Sequence, residues 1–125
     1  MTNILLVFAG GGTGAVARYL MAIGIGRVTA SAFPYHTLAI NLLGALLIGG
    51  IAEFMALRVS GTDPMRLLLI TGFLGGFTTF SAFSLESALM LEKGDYMALA
   101  AYVAASVVGT IIAVFAGGAV VKAAL

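Results

Sequence analysis

Among the neutral polar side chains inside otherwise apolar stretches of this chain are Asn41, Thr71, Thr78, Thr79, Ser81, Ser84, Tyr102, Ser106 and Thr110. Every one can donate a hydrogen bond. A polar group held among apolar residues in a membrane needs a partner or a water-lined path, which makes each a candidate for function. Tyr102, Ser106 and Thr110 are spaced four apart and form one stripe on a helix, and Thr37 and Asn41 repeat that spacing. A lone Ser or Thr ordinarily bonds back to the carbonyl four residues earlier; three hydroxyls in register favour a polar track. Asn41 suits interhelical glue and ligation equally well.

Residues 71–84 read TGFLGGFTTFSAFS, with three glycines ahead of the adjacent pair Thr78 and Thr79. Glycine weakens a helix by about 1 kcal/mol relative to alanine, and β-branched neighbours add a smaller penalty. The pattern predicts a break in mid-span, although the same glycines also suit a close crossing without unwinding. A break at bilayer depth survives only where protein or a hydrated cavity satisfies the freed backbone groups, and its carbonyls are then open to a small cation. Phe77, Phe80 and Phe83 follow at intervals of three, which sets Phe80 and Phe83 on nearly one face among Thr79, Ser81 and Ser84. Phenylalanines of a membrane helix ordinarily meet lipid or pack. Here their positive ring edges also offer an anion contact without a full charge.

The ionisable residues are few. Arg18 stands about two-thirds along the first apolar stretch, where an arginine snorkels, pairs or meets water. Glu53 and Glu86 lie near the ends of their stretches, and no carboxylate falls at mid-depth. That argues against proton-coupled export of cations and leaves neutral donors as the available solvation. With no cysteine and the single histidine His36, neither thiolate metal sites nor a histidine metal cluster can form. Nor do a nucleophile, a base and an orienting group stand together, which argues against an enzyme.

These residues must be positioned by membrane helices. Of 125 residues 62% are hydrophobic and 9% charged, and the mean hydropathy is +1.16. Soluble domains carry roughly a quarter charged residues. A bilayer core needs about 20 apolar residues in helical form, and four stretches supply them, at 4–25, 38–57, 67–91 and 96–124. The first lacks a basic leader and carries Arg18, so it reads as a retained span rather than a signal peptide. Turn-forming pieces separate the spans: Pro34 in the first connection, Gly61, Asp63 and Pro64 in the second, Gly94 in the third. The expectation is one four-helix transmembrane domain over residues 1–125. The net charge of +1 with no basic run argues against nucleic acid as a partner.

Arg58, Arg66 and Lys122 would lie on one side of the membrane and Arg27 and Lys93 on the other. So small a bias permits insertion in both orientations, and hence antiparallel pairing, as well as a single topology. Four helices leave little room for an aqueous path, so transport would favour an oligomer. Small residues four apart (Gly10 and Gly14, Ala45 and Gly49, Gly72 and Gly76, and the row Ala101, Ala105, Gly109, Ala113, Gly117) predict close helix contacts.

Three segments, GGGTGAVARY at 10–19, TLAINLLGALLIG at 37–49 and GFLGGFTTFSAF at 72–83, resemble the bacterial fluoride channels of the CrcB/Fluc family. Length and four-span layout agree. The resemblance implies an all-α membrane protein with a broken third helix. It further implies an antiparallel dual-topology homodimer in the inner membrane, with two pores exporting fluoride passively. By likeness, Asn41, Phe80 and Phe83 coordinate fluoride with Ser81 nearby, and Tyr102, Ser106 and Thr110 form the polar track, Thr110 standing where other members have serine. Gly75 and Thr78 match positions whose carbonyls hold a structural sodium at the dimer centre, and Arg18 and Glu86 match supporting residues. Ala82 departs from the threonine of many members, which alters the local hydroxyl pattern without removing the rings. The rival readings are a small multidrug-type exporter, expected to carry an acidic residue in the first helix where this chain has Arg18, and a non-transporting assembly protein, which would leave the Thr-Phe-Ser cluster unused.

Overall fold

The computed structural model describes residues 1–58 and 63–125, and within them every regular element is helical. Four helices are long and apolar enough to cross a membrane: α1 (Thr2–Thr29), α2 (Tyr35–Arg58), α3 (Pro64–Glu92) and α4 (Tyr96–Ala124). The first three begin earlier than the apolar stretches predict, and the first reaches well past its stretch, because intrahelical hydrogen bonding continues into polar flanks at no cost.

The ends of the helices carry recognisable stops. α1 closes on Ala30 in the left-handed region (φ 43°), whose N–H reaches the Gly26 carbonyl at 3.2 Å. Pro34 precedes α2 and its carbonyl accepts Leu38 N–H. Pro64 opens α3, with Asp63 accepting Met65 N–H at 2.8 Å as its cap. The turn expected at Gly61 lies outside the described residues. Between α3 and α4, Gly94 adopts φ 72°, donating to Leu91 O while Asp95 N–H reaches Met90 O. These are the paired bonds of a Schellman stop, which requires a left-handed residue where the glycine stands.

The third helix is the irregular one. Residues 67–74 are wound as a π-helix, Gly75–Phe77 make one α turn, Thr78 and Thr79 are extended, and Phe80–Glu92 resumes as an α-helix. The predicted break is therefore present, at the two threonines, and the backbone is already loosened over the eight residues Leu67–Leu74 that come before it. The resumed helix is capped by the Thr79 hydroxyl, which accepts Ala82 N–H at 3.1 Å. A β-branched hydroxyl residue is a poor helix interior and a good N-cap, so Thr78 ends one piece and its neighbour Thr79 starts the next.

Helices pair by backbone contact. A methyl group on Gly76 of α3 would overlap the Gly11 carbonyl of α1, and one on Gly117 of α4 would overlap the Leu46 carbonyl of α2. With no hydrophobic drive between helices in lipid, such close approach is the main source of packing. The row on α4 does this only toward its C-terminal end: Gly117 is buried whereas Ala101 is exposed. Two small apolar clusters complete the core, one around Ile40, Leu74 and Phe77, the other around Phe83, Met90 and Tyr102 with Phe33 of the first connection. Large apolar side chains such as Phe8, Phe80 and Phe115 point outward.

Candidate functional site

The break is held by Asn41. Its Oδ1 accepts Thr79 N–H at 2.8 Å and its Nδ2 donates to the Thr79 carbonyl at 2.9 Å. In an unbroken helix Thr79 N–H would go to the carbonyl of Gly75, so the amide of α2 replaces a helical bond and leaves the Gly75 carbonyl without its usual donor. The Thr78 carbonyl accepts Arg18 Nη1 at 3.3 Å, which gives the mid-span arginine of α1 its partner. The Thr78 hydroxyl bonds back to Leu74 O at 2.9 Å.

Beside the break runs a cleft of about 390 Å³ between α2, α3 and α4. Asn41, Thr78, Thr79, Ser106 and Thr110 are its polar lining, and the rings of Phe80 and Phe83 line it as well. The expected hydroxyl stripe on α4 is split by the fold. Ser106 and Thr110 face the cleft, but Thr110 donates to the Ser106 carbonyl at 2.6 Å, whereas Ser106 Oγ is buried and has no protein partner. Tyr102 lies beyond Phe83, packed against its ring with centroids 5.1 Å apart. Ser81 approaches Thr79 Oγ1 at 3.2 Å instead of lining the cleft. The rings of Phe80 and Phe83 are 5.4 Å apart, yet Phe80 is 76% exposed and Phe83 only 9%; one faces outward and the other anchors the core.

Past Phe83 the polar contacts converge on a carboxylate. Glu86 Oε2 accepts the Tyr102 hydroxyl at 2.5 Å, and Oε1 accepts the Thr37 hydroxyl at 2.7 Å. His36 Nε2 lies 3.4 Å from the same Oε1. At the far end of the bundle Lys122 and Glu53 approach to 3.5 Å, in keeping with the end location expected for Glu53.

A family model described as CrcB-like protein, Camphor Resistance (CrcB) matches residues 5–118. The chain belongs to the CrcB family. Curated relatives include a protein of Rhizobium meliloti (strain 1021) named fluoride-specific ion channel FluC, 48% identical over 123 residues covering 98% of both chains. Another of that name, from Caulobacter sp. (strain K31), is 50% identical over 118 residues, 94% of this chain and 92% of the relative.

Within this CrcB-family chain, a multi-pass membrane protein, the fold brings together groups from positions far apart in sequence: the cleft with its paired rings and, joined to them by the contact of Phe83 with Tyr102, the Tyr102–Glu86–Thr37 cluster with His36. Sequence spacing reached the Thr37–Asn41 pair on α2 but not what each faces, since those partners are 49 and 38 residues away. His36 is a functional candidate that spacing did not single out, and Thr37 is one whose partner spacing did not show. The one sequence signal for them was an acidic residue, Glu86, near a span end and in need of donors.

Proposed function

We propose that this chain conducts fluoride passively out of the bacterial cell, across the inner membrane, as an antiparallel dual-topology homodimer with two pores. The observation that carries this reading is a cleft that offers a small anion hydrogen-bond donors and ring edges but no lysine. Fluoride entering a narrow path sheds tightly held water, and the lining must replace that water without binding so firmly that the ion stays. Neutral donors meet both conditions. Ser106 brings the uncommitted hydroxyl. Asn41 brings its second amide hydrogen, the first being engaged by Thr79. The edges of Phe80 and Phe83 carry partial positive charge. Thr110, Ser81 and Tyr102 are then supporting members, since each of their hydroxyls already has a protein partner.

Pairing of two copies is supported by the shape of the site. The cleft is open along its flank, and Phe80 stands mostly outside the protomer; a second copy would complete the lining. Three basic side chains against two across the membrane, as read from the loops, leave both orientations open to insertion.

The break also suits a hard monovalent cation such as sodium, because its donors are backbone oxygens. Gly75 fits, its carbonyl having lost the Thr79 donor to Asn41. Thr78 fits through the lone pair that Arg18 leaves free. Bound there, sodium would supply positive charge that balances the dipoles of these carbonyls.

Purified protein in liposomes, with fluoride and chloride efflux followed by ion-selective electrodes, tests the reading. Rapid fluoride loss with retained chloride is expected. Fluoride loss no faster than from protein-free vesicles overturns it.

A further inference from the structure

We infer that His36 sets the charge at the mouth of the fluoride path, acting through Glu86, so that conduction rises as the pH at that face falls. The inference rests on the fluoride-channel reading above. Glu86 is held from α2 and α4 by two hydroxyls, Thr37 on Oε1 and Tyr102 on Oε2. Both are neutral hydroxyls; they fix the carboxyl group in place and bring no charge to it. The one cationic partner within ion-pair distance among the described residues is the His36 imidazole, 3.4 Å from Oε1.

Its side chain is 38% exposed in the protomer, one residue into α2 at the end of that span. Tyr35 precedes it and packs against Phe33 with the rings tilted, and Phe33 in turn meets the Tyr102 ring edge-on at 5.6 Å. The other charges of that end, Arg27, Glu92, Lys93 and Asp95, are exposed and make no ion pair with His36 or Glu86. Protonation of the imidazole therefore makes this group one unit more positive. Imidazole is the side chain whose ordinary charge change falls between about pH 5 and pH 8.

The position of the cluster gives that charge an effect. Tyr102 packs on Phe83, and Phe83 on Phe80, which brings the carboxylate that Tyr102 holds close to the rings, so an anion moving past them feels its charge. An unbalanced carboxylate repels it; a carboxylate paired with imidazolium does not. His36 is thus a positioning and charge-setting residue, with no need to touch the ion.

Proteoliposomes of the full chain are assayed for fluoride efflux at about pH 5.5 and about pH 8, with protein-free vesicles at each pH subtracting leakage of the neutral acid. Wild type is expected to conduct about threefold faster at the lower pH, the size of effect one partly screened charge exerts at a few ångströms. His36→Gln, which keeps a donor for Oε1 but cannot change charge, and His36→Arg, which is always charged, are both expected to give rates independent of pH. Of the two, the arginine variant should be the faster at pH 8. A wild-type rate that does not change with pH, or a slope that persists in either variant, overturns the inference while leaving the channel reading intact. Absence of efflux above protein-free vesicles at both pH values would remove both.

Discussion

The side-chain amide of Asn41 and the peptide of Thr79 form a two-point pair, N–H to Oδ1 at 2.8 Å and Nδ2 to carbonyl at 2.9 Å. A residue of α2 therefore supplies what α3 gives up by breaking. Asn41→Ala leaves both groups of the Thr79 peptide unpaired at bilayer depth. It is expected to lower thermal stability in detergent by about 1–2 kcal/mol, each bond in a membrane being worth roughly 0.6–1 kcal/mol. Fluoride flux should be lost as well. Asn41→Asp keeps the acceptor but turns a carboxylate oxygen toward the Thr79 carbonyl, so it should be no better. Either variant conducting normally would dismiss the clamp.

The two rings should separate in their effects. Phe80 is mostly outside the protomer, whereas Phe83 packs on Tyr102 within the core. Phe80→Ile is expected to slow fluoride efflux by tenfold or more with little change in protomer unfolding. Phe83→Ile should slow it and also cost about 1 kcal/mol of stability, as reshaped core residues commonly do. Unaltered efflux in both variants would count against ring-edge contact.

Ser106 and Thr110 lie on one stripe but are not equivalent. The Thr110 hydroxyl is spent on the Ser106 carbonyl, while Ser106 Oγ is buried without a partner. Ser106→Ala should therefore reduce fluoride efflux several-fold, and Thr110→Val only modestly, in liposomes at matched protein density. The reverse order would show that the threonine proton turns into the path.

Helix contact through glycine is open to a paired test. Gly117→Ala drives a methyl group into the Leu46 carbonyl, with neither backbone able to yield cheaply, whereas at Gly26 the added atom meets nothing within 4 Å. The first is expected to destabilise the bundle by about 1–3 kcal/mol, as overpacking does. Gly26→Ala should be neutral or slightly stabilising through helix propensity. Chemical unfolding in mixed micelles reads both.

Sodium at the break would make stability depend on the cation present. Replacing sodium by a large organic cation is expected to lower the melting temperature or slow fluoride efflux, and Gly75→Pro, which disrupts the local carbonyl geometry, should remove the difference. Identical melting and efflux in both salts would dismiss the site.

Much of this protein was legible in its sequence because membrane burial leaves a coarse, local signature. Four apolar stretches of sufficient length demand four helices, since no other open element satisfies its backbone in lipid. Glycines followed by Thr78 and Thr79 weaken one of them at a definite place, and the structure breaks there. Those are consequences of each segment's own composition. What each polar side chain faces was settled only by tertiary packing. Ser106 and Thr110 share a stripe, yet one hydroxyl is spent and the other is free; Asn41 reaches a peptide 38 residues away, and Glu86 is held by Thr37 at 49 residues and Tyr102 at 16. Hydrogen bonds act over about 3 Å, and periodicity along one helix carries no information about which neighbour will come within that range. The crossing of the helices decides it, through close contacts such as Gly76 on Gly11 and Gly117 on Leu46.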